Sequence, residues 1–275
     1  MIGWVIRMIY RVGYIGNLAE VAEMIFLNDR FELVHVICES DKLKEDLITF
    51  GLVRDIQITS IADISELAAA IRENGKTVDF FIMCSFGLKI PMAELSNPKI
   101  YNIHYGLLPY YKGRHPTYWA TVKNEKYVGI SIHKATDEID GGEIIAQRKV
   151  PYFFWMNEGD LFHTLTGEIC MLLESLVLFE EGGIQPLPNK SGYHDPRVSD
   201  REKTICLEQD HYSVIFNKIR AQSRYRGAKI RLADITVWIK DMRFVYKKNC
   251  GESYFMENGF IYIYVKDNVW IKTNN

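Results

Sequence analysis

The chain contains no C-x-x-C pair, and its five cysteines (Cys38, Cys84, Cys170, Cys206, Cys250) lie far apart. That spacing supports neither a zinc site nor a disulfide framework. No His/Asp/Cys group has metal-ligand spacing, so no metal is expected. No apolar run reaches the roughly 18 residues that a membrane span needs. The opening Met1-Ile2-Gly3-Trp4-Val5-Ile6-Arg7 lacks a basic n-region and a small-residue cleavage site, so it reads as a core strand rather than a secretory signal. Net charge is only −2, which argues against a broad nucleic-acid footprint. Internal repeats and low-complexity tracts are missing too. A reducing cytoplasm is the simplest compartment for such a chain.

What is there is an ordinary globular balance, 48% apolar and 25% charged over 275 residues. Apolar runs alternate with amphipathic stretches through the first two-thirds. Asn17 and Glu20 have capping-box spacing ahead of Leu18, Val21, Ala22, Ile25 and Phe26. Residues 31–38 read as a buried strand. Asp63 with Glu66 starts another helix, which Gly75 stops. Residues 78–84 (VDFFIMC) form the near-continuous apolar run of a central parallel strand, and 100–103 the next short strand. Strand and helix in alternation argue for an α/β sheet. Residues 129–133 and 143–150 are expected as strands around an Asp-Gly-Gly turn, 158–180 as one long helix ended by Gly182-Gly183, and 209–221 as another helix. A strand-rich tail follows from Ile230. We therefore expect a catalytic domain over 1–183, a linker and helix over 184–229, and a small β-rich subdomain over 230–275.

Open α/β sheets bind ligands at the carboxyl ends of their strands. There the chain reads Y101-NIHYGLLPYYKGRHPTYW-A120. Asn102 and His104 flank one apolar residue, so strand alternation puts both on one face. An amide and an imidazole there could handle a developing oxyanion and a proton, or could simply satisfy loop backbone groups. The second segment, GISIHKATDEIDGGEIIAQRKV from Gly129, carries Asp137, Glu138, Asp140 and Glu143 around a turn. Alone it could be a solvated acidic hairpin.

Together the segments are more specific. The first resembles the N-I-H-P-S-L-L-P-x-Y-R-G-x-x-P-x-x-W-A stretch of the folate-dependent formyltransferases. The second is similar to that family's G-[VI]-[ST]-I-H-x-x-x-x-x-x-D-x-G-x-I. The likeness covers residues 75 to 180 well and the rest loosely. It implies a doubly wound, mostly parallel Rossmann-like sheet, N10-formyltetrahydrofolate as donor, and a catalytic centre of Asn102, His104 and Asp140. Asn102 would donate an N–H to the oxyanion, a contact worth ~3–4 kcal/mol of barrier. His104 would take the amine proton or, if charged, stabilise the oxyanion. Asp140 would orient His104 and relay a proton. Residues 84–91 resemble the family's A-Y-G-x-I-[IL]-P loop, which places folate beside Ser85, Phe86, Gly87 and Leu88, with Thr136, Asp137 and Ile139 closing the other side. Gly87 would let backbone approach a ring, or Gly87 and Pro91 merely turn a strand into a helix. The chain departs from the pattern at Tyr105-Gly106, where the family has Pro-Ser. His133 reads as structural.

For the amine, the length and the compact, mixed-charge tail resemble a sugar nucleotide N-formyltransferase. The implied acceptor is a dTDP-linked amino sugar, 4-amino-4,6-dideoxyglucose or its 3-amino isomer, for O-antigen (lipopolysaccharide) synthesis. A glycinamide ribonucleotide enzyme would be shorter, with a clearer phosphate loop than Arg11–Asn17. A formyltetrahydrofolate hydrolase would carry an extra N-terminal domain. A methionyl-tRNA formyltransferase would have a larger basic C-terminal barrel, and a non-catalytic folate or nucleotide-sugar module is the reading from another class. Residues 215–228 resemble the family's I-x-N-x-I-R-A and P-Y-P-G-A signatures, with Arg224 and Arg226 in place of both prolines. Arg220, Arg224 and Arg226 could ligate a diphosphate, or be a helix end where the dipole favours cations. Tyr193 and Trp155 are candidates to stack on base or sugar, and Tyr105, Arg114 and His115 to touch the acceptor. The aromatic tail strands could form a homodimer contact.

Overall fold

A computed structural model describes residues 7–42, 45–96, 98–232 and 235–274. The strand expected over residues 1–7 falls outside the described residues except for Arg7, which is not in a strand. In chain order come β1 (Tyr10–Gly16), α1 (Ala19–Phe26), β2 (Phe31–Glu39), α2 (Glu45–Arg54), β3 (Gln57–Ile61), α3 (Ile64–Asn74), β4 (Phe80–Cys84) and β5 (Ile100–His104). There follow α4 (Pro116–Val122), β6 (Tyr127–Lys134), β7 (Ile144–Pro151), α5 (Glu158–Gly167), α6 (Ile169–Glu180), α7 (Asp200–Lys203), β8 (Thr204–Ile205) and α8 (Tyr212–Ala221). Six more strands close the chain: β9 (Ala228–Arg231), β10 (Thr236–Ile239), β11 (Arg243–Tyr246), β12 (Tyr254–Glu257), β13 (Phe260–Lys266) and β14 (Val269–Asn274).

The main sheet has seven strands in the order β3-β2-β1-β4-β5-β6-β7. Strands β3 to β5 pair in parallel, and β6 runs antiparallel to β5. The mostly parallel sheet expected from sequence is therefore present. Its middle strands are apolar on both faces, as β4 shows with Phe80, Phe81 and Ile82 all buried. The strand order turns back between β1 and β4, so the loops after these strands flank a switch point.

Local chemistry explains the helix ends. The Asp63 carboxylate accepts from the backbone N–H groups of Ser65 and Glu66, and Glu66 accepts from the Ala62 N–H, so the expected cap of α3 forms. The capping box expected at Asn17 does not form. Leu18 is the N-cap of α1, without a side-chain cap. Asn17 instead donates to Glu39 Oε2 at 2.7 Å and to the Ser85 carbonyl at 2.9 Å, and accepts from the Glu39 N–H. Its amide is taken by tertiary contacts, which outcompete a local cap. The single helix expected over 158–180 is interrupted at Glu168, where Glu168 N–H bonds to Leu165 O. Its 23 residues are long and apolar enough to cross a membrane by composition. Leu165, Ile169, Leu172 and Leu176 are nevertheless fully buried in the protein, the pattern of a core helix.

The chain folds into two compact units. The first comprises the chain up to Lys112, Gly129–Lys149 and Leu165–His194, and holds the main sheet. The second comprises Gly113–Val128, Val150–Thr164 and Asp195–Asn275. It contains a three-stranded sheet, β10-β9-β8, and a four-stranded antiparallel sheet, β11-β14-β13-β12. A core of Ile215, Ile219, Ile230, Ile239, Ile263 and Ile271 joins α8 to these strands.

Candidate active site

Asn102 and His104 lie on β5, the last parallel strand, and Asp140 lies on the loop between β6 and β7. Antiparallel pairing sets Asn102 opposite His133 and His104 opposite Ser131. The three sequence candidates and His133 form one cluster, all in the first unit. Asn102 Nδ2 donates to Asp140 Oδ1 at 3.1 Å and faces His133 Nε2 at 3.0 Å. Asp140 Oδ2 lies 3.5 Å from His104 Nδ1, and Oδ1 lies 3.4 Å from His133 Nε2. All three charge-bearing side chains are withdrawn from solvent.

Hydrogen-bond partners fix the tautomers. His133 Nδ1 faces the Lys134 carbonyl at 2.9 Å, which can only accept, so Nδ1 carries the proton and Nε2 accepts from Asn102. His104 Nε2 faces the Tyr111 carbonyl at 2.7 Å, so Nε2 is the N–H and Nδ1 presents its lone pair towards Asp140. Burial pushes the His104 pKa down, Asp140 pushes it up, His133 down and the Tyr111 bond up, with burial dominating. The ring is therefore neutral at neutral pH, with a basic nitrogen beside a carboxylate.

This geometry changes two assignments made from sequence. Both N–H groups of Asn102 are committed to Asp140 and His133, so donation to an oxyanion would require breaking one of them. Without rearrangement the group it offers a reactant is Oδ1, an acceptor. His133 is also more than a packing residue, since it orients the Asn102 amide. Its signal in the sequence was its place in the second motif, but only strand pairing shows what it faces.

The turn that carries Asp140 is tightly specified. Asp140 itself has φ 50°, in the left-handed region. A Cβ at Gly142 would lie 1.9 Å from the Lys134 carbonyl oxygen, so only glycine fits there. Thr136 Oγ1 donates to the Glu138 carbonyl, and Glu138 pairs with the buried Lys112 at 3.1 Å. Thr136, Asp137 and Ile139 are exposed on this loop.

On the other side of β5, the loop after β4 is pinned from below. Ser85 is exposed at φ 52° and its carbonyl holds Asn17. Gly87 N–H donates to Glu39 Oε2 at 2.8 Å, and Lys42 bonds Glu39 as well. A Cβ at Gly87 would meet the tips of Glu39 and Lys42 at 2.7 Å. The missing side chain makes room for that network. Phe86 and Leu88 are partly buried against the core that includes Ile15, Ile37 and Ile90. The Asn17–Glu39 hub had no signal in the sequence, because its members are 22 residues apart and on different elements.

The acceptor-side candidates divide between the units. In the first, Tyr105 spends its hydroxyl on Thr166 Oγ1 at 2.9 Å, while Tyr193 is 40% exposed and its ring lies 5.7 Å from Tyr110 and 5.8 Å from Tyr111. The others belong to the second unit. Arg114 is exposed, and His115 has φ 62° with its ring 6.2 Å from Tyr225. Trp155 is 63% exposed and stacks on Phe153 with ring centroids 4.6 Å apart.

Arg220 is not available to a diphosphate. It is buried, and its guanidinium donates to Asn217 Oδ1, Asn124 Oδ1 and the carbonyls of Phe153, Phe154, Met156 and Thr121. Every donor is matched by protein, which corrects the expectation from sequence. Arg224 lies 3.4 Å over the Phe162 ring and 3.3 Å from Glu158 Oε1, and Arg226 lies over Trp238. Among the described residues, no three His, Cys, Asp or Glu side chains are grouped to hold a metal.

The chain is similar to several known proteins. A family profile described as formyl transferase matches residues 21–165, just over half of the chain. The methionyl-tRNA formyltransferase of Kosmotoga olearia is 32% identical over 168 residues, 58% of this chain, and the chain spans only 52% of that protein's length. HypX from Aquifex aeolicus, solved in complex with tetrahydrofolic acid, is similar with a TM-score of 0.71 at 20% identity over 95% of this chain and 43% of that one. The N-formyltransferase of Helicobacter canadensis, solved with folinic acid and dTDP-3-aminofucose, gives a TM-score of 0.67 at 17% identity over 97% of this chain and 99% of that one.

Proposed function

The chain belongs to the formyl transferase family, and from that premise we propose that it moves a formyl group from N10-formyltetrahydrofolate to the amine of a nucleotide-linked amino sugar. The observation that carries formyl transfer is the cluster of Asn102, His104 and Asp140 around one proton position. Bound donor supplies the formyl carbon and a leaving nitrogen that must gain a proton. The chain's own residues handle the rest. Asn102 Oδ1 accepts an N–H of the incoming amine and aligns it. His104 Nδ1, neutral because it is buried, receives the proton that the amine sheds. Asp140, 3.5 Å away, stabilises the resulting imidazolium and relays that proton to the leaving nitrogen of the donor, which restores both side chains. Ser85, Phe86, Gly87 and Leu88, with Thr136, Asp137 and Ile139, are the residues to hold the folate.

Two features support a sugar acceptor. The Helicobacter canadensis enzyme is matched over almost its full length, and net charge of −2 offers little to a polyanion. The favoured acceptors are dTDP-4-amino-4,6-dideoxyglucose and its 3-amino isomer, which would serve O-antigen synthesis in the cytoplasm, with a homodimer as the working assembly. One observation favours a second reading, since the curated relatives carry methionyl-tRNA formyltransferase names.

A transfer assay decides between them. With N10-formyltetrahydrofolate, each dTDP-amino sugar and methionyl-tRNA offered separately, we expect a formylated nucleotide sugar. Formyl-methionyl-tRNA as sole product would replace the sugar reading. Binding of folate and dTDP without turnover would make the chain a non-catalytic module.

A further inference from the structure

Residues 184–200 hold no helix before Asp200, yet 187–194 are fastened at several points within the first unit. Leu187 exchanges two backbone bonds with Ile144 at the start of β7, at 2.7 and 2.9 Å. Asn189 is buried, and its Nδ2 donates to the carbonyls of Asp140 at 2.7 Å and Gly142 at 2.8 Å. Gly192 passes so close to Pro109 that a Cβ would lie 1.5 Å from its carbonyl oxygen. Tyr193 O accepts from Lys112 N–H at 3.2 Å, and its ring lies against Tyr110 and Tyr111.

These contacts converge on His104. Its Nε2 partner is the Tyr111 carbonyl and its Nδ1 partner is Asp140. Both residues adopt left-handed backbone, φ 58° at Tyr111 and φ 50° at Asp140. That conformation costs a non-glycine residue free energy and persists only where surrounding structure enforces it. The strap from 187 to 194 touches both places.

We propose that this strap positions both proton partners of His104, with Asn189 as its positioning residue. The orientation of the Asn189 amide is forced. Both protons point at carbonyl oxygens, and a flipped amide would set oxygen against oxygen. Its Oδ1 is buried without a partner, so the side chain is held for its donors alone. An aspartate of the same shape has none to give.

The proposal rests on the reading of His104 and Asp140 as the proton-handling pair, and its test separates the two. In Asn189→Asp and Asn189→Ala we expect kcat to fall about 100-fold, as a displaced catalytic group does, with KM for the formyl donor unchanged. Ring 15N spectra of the wild type and both variants report His104 directly. The titratable groups facing that ring are Asp140 and His133, and Asp140 is the one that raises its pKa. When Asp140 recedes, the His104 midpoint moves to lower pH and the Nε2–H signature of the Tyr111 bond weakens. Lys190→Ala, an exposed change in the same strap, leaves both readouts at wild-type values. A lowered melting temperature with wild-type kcat and an unmoved His104 titration in Asn189→Asp would overturn the proposal. If the wild type formylates none of the amines offered, the transfer reading fails, and the His104 titration still decides the role of Asn189.

Discussion

Asp140 and Glu158 are both carboxylates withdrawn from water, one in each unit, and their neighbours give them opposite properties. Asp140 meets an amide N–H and two imidazole rings, and an imidazole nitrogen can take up and release a proton. Glu158 is fully buried and takes a bond from Thr117 Oγ1 at 2.7 Å and a contact from Arg224, while its Oε2 has no partner. Its charged partner, Arg224, stays protonated and cannot accept a proton from it. Burial of a carboxylate is thus no mark of catalysis until its neighbours are known.

The sharpest way to break this contrast is to remove the members of the Asp140 cluster one at a time. His104→Ala, Asn102→Ala and Asp140→Asn should each lower turnover at least ~100-fold, with melting temperatures close to the wild type. Near-wild-type turnover of His104→Ala would erase the distinction. Next comes the cation packed into the second unit. Arg220→Met should destabilise the protein by about 3 kcal/mol or more, because several buried carbonyls lose their donor. If its urea midpoint instead stays put and KM for the nucleotide sugar rises, Arg220 is a ligand after all. The smallest effect concerns Glu158. Burial raises its pKa most strongly, against the opposing pull of Arg224 and Thr117. The folded state therefore keeps a proton that the unfolded chain has already lost. Stability from this group is complete below the ordinary carboxylate pKa and is lost as pH rises through the raised value. Glu158→Gln should flatten that part of the melting profile by about 2–4 °C for each kcal/mol involved. A wild-type slope surviving in the variant would assign it elsewhere.

The same contrast shows what could be read from residues alone. The grouping of Asn102, His104 and Asp140 was legible because side-chain types at fixed spacing form a local pattern, and β5 and the loop between β6 and β7 bring the three together. The direction of the Asn102 amide was not, since it is decided by His133 across an antiparallel pair. Arg220, and the Arg224 and Arg226 that stand in place of the prolines, looked like ligands for phosphate. In the folded chain Arg220 is consumed by carbonyls, and Arg224 and Arg226 lie on Phe162 and Trp238. A cation's job depends on acceptors brought from elsewhere in the chain, and no local pattern encodes those. The α/β alternation was legible for the opposite reason: the apolar period of each element is local.

The two compact units are interleaved, with the chain passing from one to the other at five junctions, after Lys112, Val128, Lys149, Thr164 and His194. Neither unit is a continuous stretch of sequence. A protease cut or a stop codon after Gly183 would leave residues 113–128 and 150–164 behind without the 81 residues from Asp195 to Asn275 that they group with. Exchange of the C-terminal portion between relatives would likewise transplant a fraction of a unit. A working chimera has to carry three segments together, so any inherited change in the second unit must stay compatible with two stretches encoded far upstream.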